Sequence, residues 1–112
     1  MSEINLIYIT VPKFDDATRI ARTLLEECLV ACANILPGMT SIYRWNDKIV
    51  QEQEVLLLLK APSYLSEQVV TRVKSLHSYE CPAILVMPIE GGFDPYIQWV
   101  KQCTPRQKIP GV

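Results

Sequence analysis

Apolar residues in this sequence keep a spacing that changes from segment to segment, and each change predicts an element. From Ile4 to Val11, INLIYITV, they run almost without interruption until Pro12, the pattern of a strand covered on both faces. Beyond Pro12 the apolar positions Ala17, Ile20, Ala21, Leu24, Leu25, Cys28 and Leu29 fall at offsets 0, 3, 4, 7, 8, 11 and 12. That spacing predicts one face of a helix, capped by Asp15 or Asp16. The two acids suit the helix dipole at its start, whereas Glu26 and Glu27 oppose it near the end.

The next stretch, ANILPGMTSIYRWNDKIVQEQEVLLLLK, is strand-like on either side of Asn46-Asp47, a pair that tolerates the left-handed conformation of a tight hairpin turn. Two long antiparallel strands are expected, Thr40 to Trp45 and Ile49 to Leu59, with LPG at 36–38 bending or bulging the first. Pro62 ends the third strand, and Ser63 or Ser66 would cap a second helix with the face Leu65, Val69, Val73 and Leu76, Val70 beside it and His77 at its C-terminal end. Pro82 forbids helix, AILVMPI reads as a fourth strand, and Asp94-Pro95 starts a third helix through YIQWVKQC before a tail with Pro105, Pro110 and Gly111.

The order βαββαβ plus a terminal helix is that of an α+β, ferredoxin-like split βαβ fold: an antiparallel sheet with both long helices on one face. The 112 residues fit one domain, residues 1–112, large enough to bury about 65% of its unfolded surface. The face left open would still carry apolar side chains from strands such as EVLLLLK. A soluble monomer rarely exposes so large a patch, so an oligomer is expected.

Composition narrows the function classes. At 49% hydrophobic and 21% charged the chain is globular rather than disordered. Eleven basic against twelve acidic residues give a formal charge of −1, with no positive field to gather phosphate backbones, so no nucleic-acid partner is expected. MSEINLIYIT fits neither a secretory signal nor a membrane span, and a cytoplasmic protein with no membrane partner is expected. Cys28, Cys32, Cys81 and Cys103 include no C-x-x-C pair; Cys28 and Cys32 read as i,i+4 on the first helix, which excludes a zinc ribbon and favours thiols in a reducing compartment. One histidine, four glycines, no G-x-S-x-G and no nucleophile beside a base argue against an enzyme.

The chemistry-bearing cluster is LHSYECPAILV, where His77, Glu80 and Cys81 place imidazole, carboxylate and thiol within five positions. Together these could hold copper or zinc. The competing reading is a helix-end histidine, with Tyr79 and Glu80 holding the turn or a subunit contact, because Pro82 pushes Cys81 towards extended backbone and breaks the i,i+4 alignment with His77. Tyr43 and Trp45 share a strand face and Tyr96 and Trp99 a helix face; all four combine large apolar area with a polar handle.

The ordered words LVACANILPGMTSIYRWNDKIVQEQEVLLLLK, HSYECPAILVMPIEGG and YIQWVKQ, from about Thr10 to Cys103, resemble the CutA family of small proteins associated with divalent-cation tolerance. The resemblance implies a ferredoxin-like subunit in a compact homotrimer whose long hairpins cover neighbouring sheets, with an architecture similar to the P-II signalling trimers. It implies a non-enzymatic role in metal-ion, including copper, tolerance or homeostasis, with no required cofactor and copper or another divalent cation as the ion bound. The family pattern H-P-Y-E-x-P-E is altered here at Ser78 and Ala83, and where some relatives carry a first-strand cysteine this chain has Ile9 or Thr10. Of the donors proposed in those relatives His77 alone is kept. The alternative function is a P-II-like signalling or scaffold trimer taking a small molecule or partner segment in an intersubunit cleft. Tyr43, Trp45, Glu54, Lys60, Tyr79, Tyr96 and Trp99, with His77, are the expected lining, and Lys60 is the charge that ends an apolar strand.

Overall fold

Strand β1 (Ile4–Val11) occupies an inner position in a four-stranded sheet of order β2-β3-β1-β4, with β2 spanning Cys32–Trp45, β3 Lys48–Pro62 and β4 Ile84–Ile89. The computed structural model describes residues 2–102, so Cys103 and the tail residues Pro105, Pro110 and Gly111 lie outside the described residues. Every strand pair is antiparallel. Helices α1 (Phe14–Glu26) and α2 (Ser66–Leu76) follow β1 and β3, a short 3-10 turn (Ser63–Leu65) precedes α2, and α3 (Asp94–Gln102) follows β4. This is the expected α+β arrangement.

Strand alternation sorts the side chains. Ile7, Ile9 and Val11 stand opposite Leu59, Leu57 and Val55, and all six are buried beneath Ala17, Ile20, Ala21 and Leu24 of α1 and Val69 and Val73 of α2. The intervening residues Leu6, Tyr8 and Thr10, beside Lys60, Leu58 and Leu56, face the other way. That second face is not wholly open, because α3 lies across one end: Val100 and Ile4 are buried there, and the Lys60 ammonium sits 5.4 Å from the Tyr96 ring centre. Leu36, Trp45, Leu85 and Met87 remain exposed beyond it.

Helix ends depart from the sequence expectation. Lys13, in extended backbone, takes the position before α1 with no side-chain cap. Asp15 and Asp16 therefore fall inside the first turn, where their charge still meets unpaired N–H groups. Leu65 precedes α2, again without a side-chain cap: the Ser63 hydroxyl donates to the Ser2 carbonyl and Ser66 Oγ accepts from Asn5 Nδ2. At the other end of α1 the Cys28 N–H donates to Leu25 and the Leu29 N–H to Leu24, a Schellman closure with Cys28 left-handed at φ 59°. The helix ends at Glu26 and Cys32 opens β2, so these two cysteines do not share a helix.

The hairpin keeps the predicted turn and bulge. Asn46 and Asp47 have φ 51° and 63°, as a two-residue type I′ turn needs. The register shifts between Leu36 and Met39, where Gly38 takes φ +82°. Strand β2 therefore begins well before Thr40. Among the described residues no helix is long and apolar enough to cross a membrane.

Candidate functional site

The turn at Asn46-Asp47 fixes the outer hairpin register, with Tyr43 opposite Val50 and Ser41 opposite Glu52. Tyr43 and Trp45 of β2, Glu52 and Glu54 of β3, Tyr8 and Thr10 of β1, and Tyr79, Glu80 and Cys81 from the α2–β4 loop surround a cavity of about 860 Å³. Its position on the face opposite α1 and α2 follows from strand parity, since Glu52 and Glu54 are in phase with Leu56 and Leu58.

Burial and hydrogen bonds set the electrostatics. Glu54 is only 8% exposed, and the Tyr79 hydroxyl donates to its Oε2 at 3.0 Å. Burial first, and then the Glu54 carboxylate, push the Tyr79 hydroxyl well above the ordinary phenol range. Tyr43 moves in the same direction through desolvation and then its hydrogen bond to Glu52. The cavity wall is negative and aromatic, with no lysine, arginine or histidine among the described residues that line it.

His77 stands behind this wall. Its Nε2 lies 2.7 Å from the Thr10 carbonyl, and the Tyr79 N–H donates to Nδ1 at 3.1 Å. A nitrogen that accepts an N–H carries no proton, so this pairing selects the neutral ring with its hydrogen on Nε2, donating to Thr10. Thr10 lies one residue past the last β1–β4 pair, Ile9 with Ile84, and His77 supplies the partner that β4 does not. The ring also packs on Tyr79, with centroids 4.8 Å apart.

The expected trio His77, Glu80 and Cys81 is not assembled as a metal centre. His77 is buried with both nitrogens engaged, while Glu80 and Cys81 are exposed. Among the described residues no three His, Cys, Asp or Glu side chains gather in a way that could hold a metal ion.

The expected cleft residues divide into two groups. Tyr43, Trp45, Glu54 and Tyr79 line the cavity, whereas Lys60 lies under α3 against the Tyr96 ring, which is 5.8 Å from that of Trp99. There burial raises the Tyr96 hydroxyl, hydrogen bonding to Lys60 lowers it and hydrogen bonding to Cys32 raises it. Trp99 Nε1 is buried without an acceptor. Sequence reading missed Tyr8, Thr10 and Glu52 as lining; alternation along β3 from Glu54 would have found Glu52, whereas Tyr8 and Thr10 require the β1–β3 register.

Comparison with known proteins adds a family context. Residues 5–103 match the family model described as CutA1 divalent ion tolerance protein. Over 99 residues the chain is 44% identical to the divalent-cation tolerance protein CutA of Thermus thermophilus, covering 88% of this chain and 96% of that one. Over 101 residues it is 40% identical to the human protein CutA, covering 90% of this chain but 56% of the human one. The crystal structure of CutA1 from Ehrlichia chaffeensis superposes with a TM-score of 0.86 at 39% identity, covering 92% of this chain and 96% of that one.

Proposed function

Because this chain belongs to the CutA1 divalent ion tolerance family, we propose that it serves divalent-cation tolerance as a non-catalytic homotrimer whose half-covered sheet faces meet between subunits. The observation that carries the assembly is the apolar surface beyond α3, where Trp45 is 62% exposed and Leu85 58%. A soluble chain covers such a surface with another copy or a partner. A non-catalytic role is supported by the lone histidine, whose ring nitrogens are both occupied.

Divalent metal, copper included, is bound weakly in this reading. Glu80 and Cys81 are the exposed donors, and His77 can join them only by giving up one of its two hydrogen bonds, that from the Tyr79 N–H or that to the Thr10 carbonyl. Cys32 and Cys81 are unbridged thiols, which supports a reducing compartment such as the cytoplasm. A second reading, a P-II-like trimer that takes a small ligand between subunits, is favoured by the cavity of about 860 Å³, within the usual range of about 300–1,000 Å³ for ligand sites.

Light scattering in EDTA and with added copper tests the assembly: a mass near three times 12.8 kDa in both is expected, and a concentration-independent monomer overturns it. Copper titration of wild type and His77→Ala tests the metal reading. Weak binding, indifferent to the substitution, is expected; tight binding lost in the variant would restore His77 as a ligand.

A further inference from the structure

We propose that the cavity is completed between subunits, where Glu54 of one chain forms an ion pair with the partner subunit's Lys60. The inference rests on the homotrimer reading above and names the charges that hold one copy against the next. Along β3, Glu54, Leu56, Leu58 and Lys60 alternate onto one face of the sheet, the face opposite α1 and α2. One end of that face is acidic: Glu54 is only 8% exposed, and Glu52 is also in the cavity wall. The other end carries Lys60. Between them lie Leu56 and Leu58, with Leu36 on β2 and Leu85 and Met87 on β4 exposed on the same face.

Neither charge meets its opposite within its own chain. The ion pairs among the described residues are Arg19 with Asp16, Arg72 with Glu27 and Lys101 with Glu3. Glu54 has the Tyr79 hydroxyl, and Lys60, partly buried, has the Tyr96 ring. A phenol or a ring face does not neutralise an ion held away from water, whereas an opposite charge does. Six positions of extended strand set Glu54 and Lys60 about 20 Å apart in one chain, so the pair can form only between chains. A second copy presents the same acidic end, apolar band and basic end; with its basic end over the first copy's acidic end, acid meets base while the leucines cover one another. Such a contact joins different parts of the two surfaces, as a closed ring of three requires. Lys48, the other lysine in phase with Glu54 on β3, is exposed beside the hairpin turn, where water serves it, so the assignment falls on Lys60.

Light scattering across a dilution series of the full chain, with circular-dichroism melts to check folding, reads the pair through a double-mutant cycle of Glu54→Gln, Lys60→Gln and both together. Each single substitution leaves the other charge unpaired and is expected to weaken association about thirtyfold or more per interface. The double leaves neither unpaired and is expected to associate at least as well as either single. Lys48→Gln is expected to dilute as wild type does. Losses that multiply in the double, wild-type dilution behaviour in Lys60→Gln, or a loss in Lys48→Gln that proves coupled to Glu54→Gln would each overturn the pair and leave the trimer standing. A wild-type chain that is monomeric at every concentration overturns the trimer itself. Lys60→Gln does not touch the hydrogen bond from Tyr79 to Glu54, so it remains informative even if Glu54→Gln disturbs the fold. Lys60→Arg, which keeps the charge, should then assemble where Lys60→Gln does not; equal failure of both would overturn the pair.

Discussion

Leu57 and Leu58 adjoin in sequence but face opposite sides of the sheet, and substituting each in turn tests the architecture. Leu57 is fully buried between Ile9 and Ile35 on the strands either side, so Leu57→Ala should cost about 2–5 kcal/mol. Against a total stability of about 5–15 kcal/mol, that corresponds to a fall in Tm of roughly 8–40 °C for a domain near 100 residues. Leu57→Asp adds a buried, unpaired carboxylate and should abolish folding. Leu58 is only partly buried, beside Tyr8 and Asn34 on the face opposite α1 and α2. Exposing half of such a side chain is worth about 1 kcal/mol to the subunit, so Leu58→Asp should leave a folded chain that no longer assembles. Thermal melts followed by circular dichroism, paired with light scattering, read both effects. Leu57→Ala melting with wild type, or Leu58→Asp keeping a full trimer, would refute the face assignment.

Gly38→Ala should destabilise by about 1 kcal/mol through backbone conformation alone, since φ is +82° and the added carbon has open space; a lower denaturant midpoint with unchanged slope checks it, and an unchanged midpoint refutes it. His77→Ala leaves the Thr10 carbonyl and the Tyr79 N–H without their partner, so a loss of about 1–3 kcal/mol is expected; faster amide exchange at Tyr79 is its local signature, and wild-type protection there would count against the hydrogen bond from Tyr79 to His77. The raised Tyr79 hydroxyl means the folded chain holds that proton more tightly than the unfolded one. Its stabilisation is complete below the ordinary phenol value of 10.0 and is lost as pH rises from there through the folded value. Urea melts between about pH 9 and 11 should therefore show a shallower alkaline decline for Tyr79→Phe than for wild type; identical declines would remove Tyr79 as the cause.

Spacing made most of the fold legible, because burial periodicity follows the backbone wherever the backbone is regular. It bounded β1 at Ile4 and Val11 and located the hairpin turn and the bulge. It overran the end of α1, since Cys28 and Leu29 continue the helical offsets while the chain has already turned left-handed; apolar spacing carries no information about the sign of φ. The expected serine caps failed for a related reason, in that Ser63 and Ser66 are engaged by Ser2 and Asn5, residues 61 positions away.

The site was legible only in part. Tyr43, Trp45 and Glu54 come together because the short turn fixes the register of the hairpin. Lys60 does not join them, since it lies six positions from Glu54 along an extended strand and α3 covers it. Proximity in sequence was the misleading cue for His77, Glu80 and Cys81: the imidazole is held by Thr10, 67 positions away, and that distant acceptor decides where the ring points.

The bulge also affects how much chain the hairpin needs. Between Leu36, opposite Leu56, and Met39, opposite Glu54, β2 spends three steps where β3 spends two. The surplus residue acts as slack: removing Gly38 would let Leu36 and Met39 join in one regular ladder, with Tyr43 still opposite Val50 and Trp45 still opposite Lys48. Which side chains line the cavity is then insensitive to a one-residue shortening at this point. Length can vary there without rewriting the surface downstream, and losing this residue should be gentler on the hairpin than replacing it.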